Sequence, residues 1–121
     1  MAARGRSILV GYDGTDAGRR ALAAAADLAG YASTLAVAAV ALDDDAAGSA
    51  ALVRDAREQL LRHNVLARYL QPAGDLVDAL VETARRLGVD LLVVGRPAGV
   101  RPGRATGAVI DNAPCDVLIV A

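Results

Sequence analysis

Large aromatic side chains and lysine are the main absences from this sequence. The chain has no Phe or Trp and only three Tyr, although 55% of its residues are hydrophobic. A core must therefore be built from Ala, Val, Leu and Ile, which pack through many small side chains. All 13 basic residues are Arg, against 14 acidic residues, and the formal net charge is -1. Because this balance creates no strong positive field, we expect neither nucleic acid nor a membrane as a partner.

Cysteine and long apolar segments are also scarce. A single cysteine, Cys115, excludes an internal disulfide and any cysteine cluster for zinc or iron–sulfur. The acidic run at 43–45 lacks the spacing and the glycine of a calcium loop, so we predict no metal site. Residues 1–6 are not followed by an apolar run that would make a signal peptide or a membrane span. We therefore expect a cytoplasmic protein, with one domain over residues 1–121.

Short apolar runs alternate with amphipathic segments along the chain. Runs without polar alternation are typical of strands that are covered on both faces. The predicted strands are Ser7–Val10, which Gly11 ends, Thr34–Leu42, Val65–Leu70, Asp90–Val94 and Val117–Val120. Helical spacing of apolar residues predicts four helices between them. Their core positions are Ala21, Leu22, Ala25, Leu28 and Ala29; Val53, Ala56, Leu60 and Leu61; Leu76, Leu80, Ala84 and Leu87; and the fourth spans about residues 104–112.

This alternation of strands and helices predicts the fold class. A parallel sheet with right-handed crossovers and helices on both faces follows from it. The fold is therefore α/β, a three-layer sandwich around a five-stranded sheet. Ligands of such sheets bind beyond the carboxyl ends of the strands, where the strand order reverses. The loops after strands 1 and 4 are the candidate binding loops, and the second, Gly95–Gly103, is rich in Gly, Pro and Arg.

Both ends of the chain resemble the universal stress protein family. Ile8–Val10 followed by Asp13–Thr15 is similar to the family's first strand and turn. Asp90–Gly95 resembles its fourth strand, and Ala113–Val120 resembles its closing strand. The resemblance covers nearly the whole chain. It implies the adenine nucleotide alpha hydrolase-like, Rossmann-like fold with strand order 3-2-1-4-5, and a homodimer through the last strand. One branch of the family binds ATP, with Mg, between the first and fourth strand loops, and another branch binds no ATP.

The phosphate-binding loop departs from the pattern of the ATP-binding branch. That pattern is G-x-x-G, nine further residues and then G-S or G-T, whose backbone N–H groups hold phosphates at a helix N-terminus. Gly95 takes the first glycine position and Gly103 the last. Ala98 stands at the second, unless Gly99 is used in a shifted register, and Arg104 replaces the hydroxyl residue. The outer glycines are 8 positions apart (95 to 103) instead of the family's 13. The nucleotide affinity that this predicts is weak, altered or absent.

Each residue that the resemblance assigns to the cofactor also has an explanation that needs no ligand. Asp13 matches the family acid near the adenine and ribose, but an Asp before a helix is also an ordinary turn or capping residue. Val40 matches backbone beside the adenine, and a core position accounts for it equally well. Gly95 and Gly103 suit a phosphate contact or a flexible exit from strand 4. The arginines of this loop could bind an anion by charge and fork geometry, or be solvated; they are Arg96, Arg101 and Arg104.

No catalytic residue is predicted. His63 stands alone near a helix end, and Cys115 has no basic neighbour in sequence. The chain has neither a P-loop nor a nucleophile-elbow pattern, so we do not expect an enzyme.

Two functions are left open. The leading one is a dimeric stress-response binding and interaction module with weak, altered or absent nucleotide binding. The alternative is an adenine-nucleotide sensor for ATP or AMP, which uses Asp13, Gly95, Gly103 and the loop arginines. In the order 3-2-1-4-5 the last strand, Val117–Val120, is an exposed apolar edge, and pairing with a second copy would cover it.

Overall fold

The computed structural model describes residues 6–30, 33–41, 46–74, 76–96 and 104–121. Strands and helices alternate through these residues. The elements are β1 (Ser7–Tyr12), α1 (Asp16–Ala29), β2 (Thr34–Ala39), α2 (Ala46–Arg62), β3 (Arg68–Leu70), α3 (Leu76–Leu87), β4 (Leu91–Gly95), α4 (Arg104–Asn112) and β5 (Asp116–Val120). All strand pairs are parallel, in the order β3-β2-β1-β4-β5. The predicted fold class and strand order are therefore confirmed.

Three strand boundaries differ from the predicted ones by more than one residue. β1 continues through Gly11 to Tyr12, because Gly11 is a packing position: a Cβ there would lie 3.0 Å from Cδ1 of Leu80 on α3. β2 stops at Ala39 instead of Leu42, where β1 also ends and the pairing between them is lost. β3 begins at Arg68 instead of Val65, whose N–H group donates to the carbonyl of Leu60 and so belongs to the end of α2.

Two apolar layers cover the two faces of the sheet. On one face, α1 and α2 bury residues such as Leu22, Ala25 and Leu60 against Ile8 and Val10 of β1. The opposite layer buries side chains from β1, β2, β4, α3 and α4; among them are Leu9, Ala38, Leu80, Leu92 and Val109. Side chains that alternate along β1 thus enter opposite layers, as expected for a central strand.

Two leucines that helical spacing places on core faces lie at the surface instead. Leu28 is 46% exposed and Leu61 is 58% exposed. Leu61 follows Leu60, which is fully buried, and a helix turns about 100° per residue, which here places Leu61 on the exposed side of α2 next to the buried face. Leu28 lies at the margin of the buried face of α1, whose middle is occupied by Ala25 and Ala29.

The first turn of α1 lies very close to the end of β4. A Cβ atom on Gly95 would stand 2.2 Å from the carbonyl oxygen of Ala17 and 2.4 Å from its carbonyl carbon. Such distances are far below van der Waals contact, so only glycine fits at this position. The prediction that Gly95 provides a flexible exit from the strand gives way to a different explanation, which is close packing of backbone on backbone.

We expect Gly95→Ala to lower the free energy of unfolding by about 2–3 kcal/mol, because α1 must move away from β4 to admit the methyl group. Urea unfolding measures the change. Gly107→Ala is the matched control, since a Cβ at Gly107 on α4 meets nothing within 4 Å and should stabilise the helix by about 0.5–1 kcal/mol. A Gly95→Ala protein as stable as the parent would contradict the close approach.

Candidate functional site

β1 and β4 separate where the strand order reverses. β1 and β4 pair only from Ile8 and Leu91 to Val10 and Val93. Beyond these residues β1 stays with β2 as far as Tyr12, whereas β4 stays with β5 as far as Gly95. We call the space beyond Val10 and Val93 the strand-end cleft. The predicted ligand site, in the loops after strands 1 and 4, would lie here and stays a prediction.

Thr15 caps the start of α1, and Asp13 lies in the turn before it. The Oδ1 atom of Asp13 accepts hydrogen bonds from the backbone N–H of Thr15 at 3.1 Å and from the Thr15 hydroxyl at 2.6 Å. Oγ1 of Thr15 in turn accepts from the N–H of Gly18 at 3.0 Å. The turn before it needs glycine at Gly14, because φ is +83° there. The explanation of Asp13 that needs no ligand is therefore present in the fold as a turn residue that holds the helix cap Thr15, and the second carboxylate oxygen of Asp13 has no partner among the described residues.

Val40 lies beside the same turn. Its side chain is buried, and its N–H donates to the carbonyl of Tyr12 at 3.1 Å. This bond continues the pairing of β2 with β1 for one residue past the end of the strand. Val40 is therefore a core residue, which is one of the two explanations given for it. It lies next to the strand-end cleft.

Arg96 marks the exit of β4, and Arg20 holds that exit in place. The N–H of Arg96 donates to the carbonyl of Val120 at 2.8 Å, and its own carbonyl accepts from Nη2 of Arg20 at 3.4 Å. Nε of Arg20 also donates to the carbonyl of Ala121 at 3.2 Å. Arg20 thus joins α1 to the ends of β4 and β5. Sequence analysis missed it, because its partners lie 76 and 101 residues away.

Three of the predicted site residues lie where little is described. Gly103 and Arg101 fall outside the described residues, and of Arg104 only the backbone is described, as the first residue of α4. Their predicted roles stay predictions. The start of α4 follows the loop that leaves the carboxyl end of β4, and its first turn carries no acidic residue, whereas the first turn of α1 carries Asp16. Of these two helix N-termini, the one of α4 therefore has no acidic side chain in its first turn that would repel an anion.

A polar cluster lies beneath the turn that follows β1. The Tyr12 hydroxyl donates to Oδ2 of Asp55 on α2 and accepts from Nε2 of Gln59 at 2.9 Å. Nη2 of Arg19 on α1 lies 3.8 Å from the same carboxylate oxygen of Asp55. The Tyr12 residue is 1% exposed. Burial, followed by the hydrogen bond to the Asp55 carboxylate, raises the pKa of Tyr12 to about 12.

Because the pKa of Tyr12 is raised, the free energy of unfolding should vary with pH in the alkaline range. Above pH 10 the unfolded chain loses the tyrosine proton, while the folded chain keeps it up to a pKa of about 12. The Tyr12 hydroxyl thus contributes fully to the free energy of unfolding below pH 10. Between pH 10 and 12 that free energy should fall by about 1.4 kcal/mol per pH unit.

Urea unfolding of the parent and of Tyr12→Phe between pH 7 and 11.5 measures this slope. The variant should be less stable by about 1–2 kcal/mol at pH 7, because Asp55 and Gln59 lose a partner, and the difference should shrink above pH 10. A difference that stays constant up to pH 11.5 would contradict the assignment.

The two lone reactive side chains have no catalytic surroundings in the described part of the chain. His63 is exposed in the turn after α2, where its N–H donates to the carbonyl of Leu60. Burial raises the pKa of the Cys115 thiol, and the Asp116 and Asp90 carboxylates raise it further. A thiol held in its protonated form is a poor nucleophile.

The described residues contain no unsatisfied buried side-chain polar atom and no group of three or more His, Cys, Asp or Glu side chains that could hold a metal ion. Among the described helices, none has both the length and the apolar character that a membrane crossing requires.

Comparison with known proteins bears on this site. Two solved structures are similar to nearly the whole chain. A universal stress protein in complex with cAMP is 29% identical, with a TM-score of 0.85, and 98% of each chain is covered. A protein from Mycobacterium tuberculosis H37Rv is 32% identical, with a TM-score of 0.69, over 100% of this chain and 98% of the other.

A more distant structure shares the fold. A universal stress protein family protein from Arabidopsis thaliana with AMP bound has a TM-score of 0.75 at 15% identity, over 95% of this chain and 90% of the other.

The sequence itself matches one family model. No curated protein matches the chain significantly. The model of the universal stress protein family, however, matches residues 5–121. Since this match spans nearly the whole chain and the similar structures have the same fold, the chain belongs to the universal stress protein family.

Proposed function

We propose that this protein is a non-catalytic adenine mononucleotide sensor, which binds a nucleotide of the cAMP or AMP type in preference to ATP. The observation that carries the proposal is the similarity to the universal stress protein in complex with cAMP, at 29% identity over 98% of both chains. The strand-end cleft and the short Gly95–Gly103 segment support it. A cytoplasmic location stays a prediction.

The cleft offers one wall that suits an adenine and ribose. Backbone at Val40 and the free oxygen of Asp13 lie on the β1–β2 side, next to the turn at Gly14. The carboxylate of Asp13 is held in one orientation by its two hydrogen bonds from Thr15, so its other oxygen would accept a hydrogen bond from a ribose hydroxyl without breaking them.

The opposite wall suits one phosphate better than three. Gly95 packs directly against the backbone of Ala17, so a phosphate has no space between Gly95 and α1. The N-terminus of α4 carries no acidic residue in its first turn and would hold one phosphate by its N–H groups and dipole. Because Gly95 and Gly103 are 8 positions apart instead of the family's 13, less backbone is available for a second and third phosphate.

Arginines would complete the phosphate site. Arg96, Arg101 and Arg104 provide three guanidinium groups on this short segment, where the family pattern has a hydroxyl residue. A guanidinium binds a phosphate by charge and by paired hydrogen bonds. No base or nucleophile accompanies these groups among the described residues, and we propose binding without turnover.

Thermal unfolding with millimolar nucleotide tests the proposal. A ligand at about a hundred times its Kd adds about 2.7 kcal/mol, so cAMP or AMP should raise the unfolding midpoint by roughly 5–10 °C, and ATP with Mg by less than half as much. The absence of a shift with all three nucleotides would place the chain in the non-binding branch. An equal or larger shift with ATP would refute the mononucleotide preference.

Matched arginine variants separate a specific site from general charge. The triple substitution of Arg96, Arg101 and Arg104 by Gln should abolish the nucleotide shift. A control triple of exposed arginines on α2 and α3, namely Arg54, Arg62 and Arg85, removes the same charge and should leave the shift unchanged. Equal loss in both triples would mean that net charge alone attracts the nucleotide.

We propose in addition that the protein is a homodimer through β5. This strand forms one edge of the sheet, and no described residue pairs with its outer side. Leu118 on β5 is 36% exposed, and Ile110 on the neighbouring α4 is 52% exposed. An unpaired apolar edge favours association, and a second copy of the same edge would cover it.

Sedimentation velocity checks the dimer. Leu118→Arg should convert the dimer to a monomer, because two guanidinium groups would then meet at the symmetric interface. Leu61→Arg introduces the same charge at a 58% exposed leucine of α2, and it should leave the dimer intact. A parent protein that sediments only as a monomer would rule out the interface.

A further inference from the structure

The second edge of the sheet, β3, lies beside an open groove. A cavity of about 280 Å3 follows this strand from Arg68 to Pro72 on the side that faces α3. A second cavity, of about 450 Å3, continues from Arg68 back to Leu66 and passes along the amino ends of β2 and β1. Both are lined by Arg68 and Leu87, so they adjoin, and we call the two together the β3 groove. It extends along the chain from Leu66 to Pro72. A stretch of that length accommodates an extended segment of about six or seven residues at about 3.3 Å per residue.

The groove has an apolar floor and a basic rim. Leu70 and Leu87 contribute to the apolar layer beneath it, whereas the guanidinium groups belong to Arg68 and Arg86. No Asp or Glu is present among the residues that line either cavity. Neither Arg68 nor Arg86 forms an ion pair with another described residue, although the adjacent Arg85 pairs with Glu82 at 3.3 Å.

The strand itself has hydrogen-bonding groups to offer. β3 pairs with β2 alone within the described part of the chain, so its outer side has no strand partner. Tyr69 points to the opposite face of the sheet, where the Arg57 guanidinium lies 5.0 Å from the ring centroid and fixes it. Arg68 and Leu70 therefore face the groove together, with unpaired backbone alongside.

We propose that the β3 edge binds an extended acidic segment of a partner protein, which adds to the sheet as a sixth strand. The backbone of the segment would pair with β3, and its alternate carboxylate side chains would meet Arg68 and Arg86. Charge complementarity selects this occupant, because the groove presents two unpaired cations and no lining carboxylate in a chain whose formal net charge is -1. A nucleic acid offers no backbone that pairs with a strand edge.

Fluorescence anisotropy with labelled, end-capped nine-residue peptides tests the proposal. An alternating Glu/Val peptide should bind at low salt, and binding should weaken as salt rises. A Glu/Pro peptide of the same length and charge should bind at least tenfold more weakly, because proline cannot pair with a strand edge. Amide hydrogen exchange at Arg68–Leu70 should slow in the presence of the Glu/Val peptide and should not change with Glu/Pro.

Adjacent arginines supply matched variants. Arg68→Gln and Arg86→Gln should each weaken Glu/Val binding about fivefold, and together about 25-fold. Arg85→Gln removes the same charge one residue away, outside the groove lining, and should leave the affinity unchanged. Because Arg86 is an exposed helix residue, its substitution should also leave the thermal midpoint unchanged.

Four results would overturn the proposal. They are equal binding of Glu/Pro and Glu/Val, an equal effect of Arg85→Gln and Arg86→Gln, binding of single-stranded DNA as tight as that of Glu/Val, and no Glu/Val binding at millimolar peptide. A further contrary result is self-association of the parent that the two groove substitutions abolish without any peptide binding, which would place a second copy of this chain at the edge.

Discussion

The first turn of α1 lies on the end of β4 with no space for a side chain at Gly95, and much of the candidate site is arranged around that contact. Because α1 begins there, its cap, Thr15, and the Asp13 side chain that bonds Thr15 lie at the mouth of the strand-end cleft. Arg20, one turn further along α1, reaches the exits of β4 and β5 from the same position. The backbone of α1 and that of the end of β4 are therefore packed together on one side of the cleft.

This arrangement changes how a ligand would compete for the site. Each candidate residue that is fully described already has a partner in the fold: Asp13 bonds Thr15, Val40 bonds Tyr12, and Arg96 bonds Val120 and Arg20. A nucleotide would bind the groups that these contacts do not occupy, which are one carboxylate oxygen, a helix N-terminus and the guanidinium groups. We expect these groups to bind a nucleotide with modest affinity, because they replace only part of a complete phosphate loop.

Local patterns predicted the elements well and the long-range contacts poorly. Unbroken apolar runs gave the five strands, since parallel strands are buried on both faces, and the family resemblance gave their order. The start of β3 was placed too early because apolar Val65 reads as strand, whereas Asn64 adopts a positive φ of 56° and turns the chain back onto α2. Tyr12 and Asp55 lie 43 residues apart, so no local pattern could join them.

The packing of glycine and alanine could not be predicted from local sequence either. The sequence indicates that Gly95 is needed, but only the three-dimensional neighbour, Ala17, says why. Five of the seven buried residues of α1 are alanine, which lets the helix approach the sheet closely.

A core made of such small side chains reverses the usual pattern of mutational tolerance. Alanine is the most frequent of the buried apolar residues in the described part of the chain. Truncating an alanine removes one methyl group and leaves almost no cavity, whereas enlarging one forces two backbones apart. Sequence drift in this protein is thus limited mainly by the volume that a residue adds. Its relatives should therefore vary at the surface long before they vary in side-chain size along α1.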